Sequence, residues 1–508
     1  MISTEGERLM KWSILAAFIV YFVSMLVVGF IFMKGQKGEK EYFIGGRKMG
    51  PWVTAMSAQA SDMSGWLMMG FPGSILAFGM GKVWIGIGLA LGTALNWIFV
   101  AKRLRNFSVA ANDSITLPQY LRNRFATQSK ALQIICAIVF LVFFTIYVAS
   151  GFVAGETVFV SFIPALQGHE SLALLLFAAI IIIYTFSGGF KAVCWTDFFQ
   201  GILMLIAMLA VPIMMVVSPK IEMGAVQAIA GESNFSLNPF TASWQDILSG
   251  LAWGLGYFGM PHILVRFMSI RSAKEVKKSS TVAIIWVVLT LGAAVVIGLM
   301  ARKTALGAGL VGSESQERIF IEIVKTLFPG FIAGILLSAI IAAAMSTADS
   351  QLLVASSSFT SDIYKPVMRK NASEKELLWV GRGVVAVVAV VAFFIAKSGL
   401  SGESKFATSI MDMVSNAWGG FGAAFGPVII LSLFWKRFTY KGAIAGVVGG
   451  AVVDVLWLIF LTESTGVYEL APGFAAGLIC AVVVTLIDKK PSDEVVAIYE
   501  AGVKGEEN

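Results

Sequence analysis

The sequence predicts an all-α polytopic membrane protein of about thirteen transmembrane helices, two of them broken near the middle. Three observations lead there. The 508 residues are 57% hydrophobic and only 14% charged, with a mean hydropathy of +0.81, more apolar surface than a soluble domain needs. Apolar windows of about 20 residues, the length of a helix crossing the hydrocarbon core, recur along the whole chain. Two of those windows carry Gly, Ser and Pro where an unbroken helix would carry Leu or Ala.

The first span lies near residues 12–33. No basic leader or small-residue cleavage site precedes it, so it is expected to be retained. A polar loop, 34–48, holds Arg47. The second span, near 51–77, is the one the others serve, because Asp62 sits near its middle. An ionised carboxylate at that depth costs at least ~2.5–3.5 kcal/mol on insertion scales, so such residues usually face the bundle interior and mark an ion or substrate path. Ser61, Ser64, Gly65, Gly70 and the Pro72-Gly73 pair make the segment a poor continuous helix. Carbonyls freed by a break are tolerated only inside protein or facing a water-filled cavity. Beside a carboxylate and hydroxyls they make a hard-oxygen cation site; the plainer alternative is a Gly/Ser kink with Asp62 snorkelling or capping a half-helix.

Spans near 83–101, 131–162, 171–186 and 192–217 follow, then a polar loop, 218–243. Further spans lie near 247–268, 281–300, 330–364, 378–396, 408–434, 442–461 and 473–487. The loops rich in Lys and Arg all fall on one side: Lys34, Lys37, Lys40 and Arg47; Lys102, Arg103 and Arg105; Arg271 and Lys274; Arg369; Lys436; Lys489. The positive-inside tendency makes that side cytoplasmic, placing the N-terminus outside and the C-terminus inside. The 303–327 loop is then external and is read as a short lid helix, and 489–508 as a charged tail mobile at its end. The net charge of +7 is spread over these short loops and is no nucleic-acid signal. Cys136, Cys194 and Cys480 have no CxxC spacing, and His169 and His262 are far apart, so neither a disulfide framework nor a soft-metal site is expected.

The run Gly250-Leu251-Ala252-Trp253-Gly254-Leu255-Gly256-Tyr257-Phe258-Gly259-Met260-Pro261-His262 is the second interrupted span, and it begins the sixth crossing counted from Pro51. Five crossings is an odd number, so a second five-span unit is inverted. Paired interrupted spans in matching places of two halves are the best sequence pointer to a secondary transporter's binding site, although close packing also favours glycine in membrane helices. The span near 330–364 adds Ser346 and Thr347, adjacent hydroxyls among small residues. Such hydroxyls usually bond the preceding turn; here they can also complement carbonyls freed near Asp62. About five neutral oxygens with a carboxylate nearby suit a small hard cation.

The stretches SAQASDMSGWLMMGFPG, TIYVASGFVAGE, SGGFKAVCWTDFFQ, LAWGLGYFGMPHILVRFM and AAAMSTADSQLL strongly resemble the sodium/solute symporter family over nearly all of the chain. The first and fourth are most similar to its bacterial proline carriers. The resemblance implies a LeuT-like core of two inverted five-helix repeats, 51–217 and 244–437, with one extra helix in 1–50 and two in 438–487. The 218–243 loop would be extracytoplasmic and 488–508 a cytoplasmic tail. It implies a sodium site made of the carbonyls of Ala60, Met63 and Ala343 and the hydroxyls of Ser346 and Thr347, with Asp62 essential to coupling. Asp197 matches a carboxylate on the ion's inward route, though by itself it could cap the helix beginning there. Arg47 matches a loop arginine important for coupling, or is one more positive-inside charge. Asp349 departs from the proline carriers' pattern; it either adds field strength to the cation site or turns toward a polar crevice.

For the solute, the resemblance points to Ser64, Gly65, Trp66, Tyr147, Trp253, Tyr257 and Pro261. A half-helix N-terminus offers N–H groups and a positive dipole end to a carboxylate. Aromatic faces attract a secondary ammonium by about 0.5–2 kcal/mol. The implied activity is sodium-coupled import of L-proline by alternating access across a bacterial cytoplasmic (inner) membrane, with Na+ as coupling ion and no other cofactor. One charge moving through about 100 mV releases about 2.3 kcal/mol, roughly fiftyfold accumulation, and no GxxxxGK[ST] loop suggests ATP as a driver. Competing readings are the same fold carrying another small carboxylate, amino acid or vitamin, a transporter-like sensor, and a channel. An enzyme ranks last, for want of a nucleophile/base or metal set. Oligomeric state is not fixed by the sequence.

Overall fold

A computed structural model of the chain describes residues 4–33, 38–187, 189–222, 224, 235–311, 314–400 and 409–505. Lys34, Lys37 and residues 223 and 225–234 of the 218–243 loop lie outside them. Among the described residues the regular elements are helices throughout, and ten are long and apolar enough to cross a membrane. These are Trp12–Phe32, Met80–Ala110, Ala131–Phe162, Phe190–Val217, Ala273–Ala301, Gly330–Met368, Glu374–Gly399, Ile410–Phe434, Tyr440–Phe460 and Leu470–Ile487. The remaining apolar stretches are the 18-residue helix Glu170–Ser187 and the two interrupted segments.

Both interruptions follow from local chemistry. Pro51 opens the first helix at N1, where its missing N–H costs nothing. That helix stops at Asp62, and Met63 leaves helical space at φ −86°, ψ 77°. A π-helical turn, Trp66–Gly70, then leads into the helix Phe71–Phe78. In the second segment Ser243 caps Trp244–Ala252, its Oγ accepting from the Asp246 amide. A 3-10 stretch, Trp253–Phe258, follows, and Pro261 restarts the chain as Pro261–Ser269.

Glycines lock the second break in place. A Cβ at Gly92 would lie 2.3 Å from the Gly254 carbonyl oxygen, and one at Gly254 the same distance from that of Gly88. The helix Val83–Leu95 can therefore lie directly on the 3-10 stretch, the close approach that small residues permit in membrane bundles. At the other end Met49 donates to the Ser269 carbonyl and Arg271 to that of Met49, tying the start of one broken segment to the end of the other.

Gly330–Ser357 is buried almost throughout, whereas the outer helices present Ile19, Val216 and Ile487 to the surroundings, as a lipid-facing belt should. One expectation is corrected. Lys102, Arg103 and Arg105 are helical, not loop, because Lys102–Ala110 continues the preceding span, and Arg105 turns inward to the Ile270 carbonyl at 2.7 Å. Within 303–327, Ile319–Leu327 is a packed helix whose apolar side chains are buried, and Gln316 and Glu317 lie against Gly73 and Gly70 of the first broken segment. The tail forms the helix Asp493–Lys504, docked by Lys436 on Glu500 at 2.6 Å and by Arg124 on the Val495 carbonyl at 3.2 Å; its last three residues lie outside the described ones.

Candidate functional site

Asp62 is fully buried, and three elements converge on it. Tyr257, from the second broken segment, donates its Oη to Asp62 Oδ2 at 2.6 Å. Tyr147, from Ala131–Phe162, and the Trp66 indole both donate to the Asp62 backbone carbonyl at 3.3 Å. Oδ1 has no hydrogen-bond partner among the described residues. Neutral donors satisfy part of a buried carboxylate but do not neutralise it. One carboxylate oxygen is therefore left open at the break, and Asp62 neither snorkels nor reaches solvent.

The break also frees the Ala60 carbonyl. In a continuous helix it would accept from the amide of Ser64, but that amide turns to the Asp62 carbonyl at 3.1 Å. Ser346 fills the gap, donating to Ala60 O at 2.7 Å while lying 3.2 Å from Ala343 O. Three of the five oxygens expected around a cation are thus joined through one hydroxyl. Thr347 Oγ1, the next residue's hydroxyl, is buried and unpartnered among the described residues. Met63, also buried, occupies the helix break itself. These are hard, neutral oxygens beside a carboxylate, the set that suits an alkali cation.

Asp197 forms a second polar cluster and is not a helix cap: its helix starts at Phe190, with Gly189 before it. Its partner is Arg266, one turn past His262, at 2.8 Å, with both side chains buried. Ser57 bridges them, donating to Asp197 Oδ2 at 2.7 Å and accepting from Arg266 Nε at 2.7 Å. Arg266 also reaches Ser350 Oγ at 2.5 Å and the His262 carbonyl at 2.6 Å. Asp349 accepts from Ser350 at 3.3 Å and is itself fully buried, so it faces this network and not an open crevice. Arg266 stood in the fourth motif without a role; an arginine inside the apolar run Pro261-His262-Ile263-Leu264-Val265-Arg266 was the available signal.

The aromatic residues around Asp62 pack against one another. The rings of Trp66 and Trp253 lie 6.4 Å apart, and Trp253 stacks on Tyr468 at 5.3 Å. Trp418 packs edge-on to Tyr257 at 5.0 Å and donates to the Trp253 carbonyl at 2.8 Å. Trp418 and Tyr468 were not singled out from sequence. Ser64 Oγ is buried and unpartnered, and a Cβ at Gly65 would lie 2.6 Å from that of Ala154, so only glycine fits. Pro261 begins the second half-helix beside this group. Trp253 and Tyr468 line a cavity of about 1000 Å³ whose wall includes Asp246, Glu317, Asp412 and Glu469. This cavity lies on the side of the cation-poor loops.

Arg47 belongs to neither cluster. It staples the cation-rich side, donating to Asp113 Oδ1 at 2.8 Å, Ser108 Oγ at 3.0 Å, the Ser114 carbonyl at 2.7 Å and the Met268 carbonyl. Partial burial pushes the Asp113 carboxyl up, but Lys40 and Arg47 outweigh it and hold the group below the usual carboxylate range.

Residues 42–450 match the sodium:solute symporter family. The chain is 43% identical to the sodium/proline symporter of Haemophilus influenzae over 502 residues, covering 96% of this chain and 97% of that one. It is 45% identical to the sodium/proline symporter of Escherichia coli, covering 94% of each. It is 44% identical to the high-affinity proline transporter PutP of Bacillus subtilis, covering 93% of this chain and 97% of that one. A substrate-bound, outward-open Na+-coupled sialic acid symporter shares the fold, with a TM-score of 0.74 at 21% identity over 94% of this chain and 99% of that one. The chain belongs to the sodium:solute symporter family.

Proposed function

We infer that the protein is a sodium-coupled secondary active transporter that imports L-proline with Na+ across a bacterial inner membrane, and is not an enzyme. Identity of 43–45% over more than nine-tenths of the chain to sodium/proline symporters supports both ion and cargo. The single structural observation that carries the reading is the Ser346 hydroxyl bridging the Ala60 and Ala343 carbonyls at the helix break. A cation entering there takes Ala60, Ala343, Met63, Ser346 and Thr347 as ligands, in the field of Asp62. Because Asp62 is bonded to Tyr257 of the other broken segment, ion binding and solute binding act on one hydrogen-bonded unit.

The solute lies among Ser64, Gly65, Trp66, Tyr147, Trp253, Tyr257 and Pro261, with its carboxylate toward a half-helix N-terminus and its ammonium against the aromatic faces. The cavity at Trp253 is the extracytoplasmic approach, and the Arg47 staple closes the cytoplasmic side. On this reading the ten long spans, Glu170–Ser187 and the two broken segments make thirteen crossings. They form inverted repeats at 51–217 and 244–437, with the N-terminus outside. Asp197, held by Arg266, flanks the inward ion route.

The test is uptake of radiolabelled L-proline into proteoliposomes under an inward sodium gradient, an equal potassium gradient, or a proton gradient without sodium. Accumulation with sodium alone, suppressed by unlabelled proline, supports the reading. Equal accumulation with protons alone refutes the cation assignment, and sodium binding without proline transport or competition refutes the cargo.

A further inference from the structure

Two buried carboxylates outside the core site have no countercharge among the described residues. Asp454, on Tyr440–Phe460, is fully buried, and Glu469, at the N-cap of Leu470–Ile487, is 2% exposed. Both lie beyond the residues that match the family. They converge over Gly419: a Cβ there would sit 3.0 Å from Asp454 Oδ1 and 3.4 Å from Glu469 Oε1, so the glycine is what lets the two oxygens face each other. Among the described residues neither oxygen of Asp454 has a hydrogen-bond partner, and neither does Glu469 Oε1. Glu469 Oε2 accepts from Thr462 Oγ1 at 3.4 Å.

An unpaired buried carboxylate is costly, and two facing one another more so. The missing partner can arrive from water, because Glu469, Thr462 and Asp412 line the 1000 Å³ cavity, and an acidic wall in a concave site concentrates cations. The donors are all hard oxygen atoms, and among the described residues no third His, Cys, Asp or Glu joins them in a metal-binding group. That favours a monovalent alkali ion over a divalent or soft metal.

The neighbour gives the site a consequence. Tyr468 precedes Glu469, stacks on Trp253 and donates to the Ser415 carbonyl at 2.7 Å. We propose that Asp454 and Glu469 form a second monovalent-cation site reached from the cavity through Glu469, whose occupancy fixes the start of Leu470–Ile487 and holds Tyr468 against Trp253. Its effect on uptake rests on the transport reading above; the binding of the ion does not.

The experiment is equilibrium binding of radiolabelled sodium to the purified full-length protein and to Asp454→Asn, Glu469→Gln and Asp62→Asn variants. Asp454→Asn and Glu469→Gln are each expected to bind one fewer sodium ion per chain than wild type, and Asp62→Asn to keep the ion they lose. Glu469→Gln, altered at the cavity face, serves if Asp454→Asn fails to fold. Unchanged sodium stoichiometry and affinity in both wall variants overturns the proposal and leaves the pair sharing a proton. Loss of the wall ion with proline uptake absent even in wild type refutes the transport reading and not this site.

Discussion

Ser346→Ala separates the cation reading from simple packing. On the proposed reading the hydroxyl does two things: without an ion it caps the carbonyl freed at Ala60, and with one it is a ligand. Removing it raises the energy of both states. The cap is a neutral hydrogen bond worth about 0.5–1.5 kcal/mol, whereas a contact to a charged partner is worth about 1.5–3 kcal/mol. The ligand term wins, leaving sodium binding weaker by about 1–2 kcal/mol, or about 5- to 30-fold. The assay is the sodium dependence of proline uptake in proteoliposomes. The half-saturating sodium concentration should rise by that factor while uptake at saturating sodium recovers, and Ser346→Thr, which keeps the hydroxyl, should lie between. A half-saturating concentration within about twofold of wild type would sink the argument, since the hydroxyl would then be no more than a cap.

Asp197→Asn strands the Arg266 guanidinium among Ser57, Ser350 and the His262 carbonyl; breaking one side of a buried pair costs about 3–5 kcal/mol. Its thermal unfolding temperature in detergent should fall sharply and recover in part in Asp197→Asn/Arg266→Gln. Gly254→Ala places a methyl 2.3 Å from the Gly88 carbonyl oxygen; overpacking of this kind costs about 1–3 kcal/mol and should lower both thermal stability and proline affinity, whereas Gly383→Ala, with nothing within 4 Å, should do neither. Burial pushes the Glu317 carboxyl from 4.5 up to about 7, the Met411 and Ile410 amides pulling the other way and Asp412 adding to the rise. A raised carboxyl pKa contributes stability fully present below 4.5 and lost as pH rises through about 7. Melting temperature should therefore decline across that window, by about 1–3 kcal/mol in stability for this partly buried group, and Glu317→Gln should flatten the decline.

Much of the site was legible because membrane helices are monotonous. Against an apolar background Asp62, the Gly/Ser/Pro break beside it and the Ser346-Thr347 pair stand out by chemistry alone, since bilayers tolerate freed carbonyls and carboxylates only where something uses them. What stayed hidden depends on long-range pairing. Arg266 meets Asp197 across 69 positions, and nothing near either residue names the other. Trp418 and Tyr468 look like any aromatic in or beside an apolar helix until Trp253 is placed against them. Charge misled at Lys102–Ala110: a basic run reads as loop, yet its arginines reach inward to the carbonyls of Ile270 and Leu433. Asp197 looked like a cap because the apolar span seemed to start beside it, whereas Gly189, eight residues before it, sets the true boundary.

The central claim is that the carboxylate at the first helix break couples sodium to solute. The measurement is sodium-gradient-driven proline accumulation in proteoliposomes carrying wild type or Asp62→Asn, with sodium-free proline binding measured on the same preparations. The account expects accumulation to vanish in the variant while it remains folded and its residual proline binding no longer responds to sodium. Sodium-driven accumulation by Asp62→Asn at the wild-type rate, with unchanged sodium dependence, would contradict it.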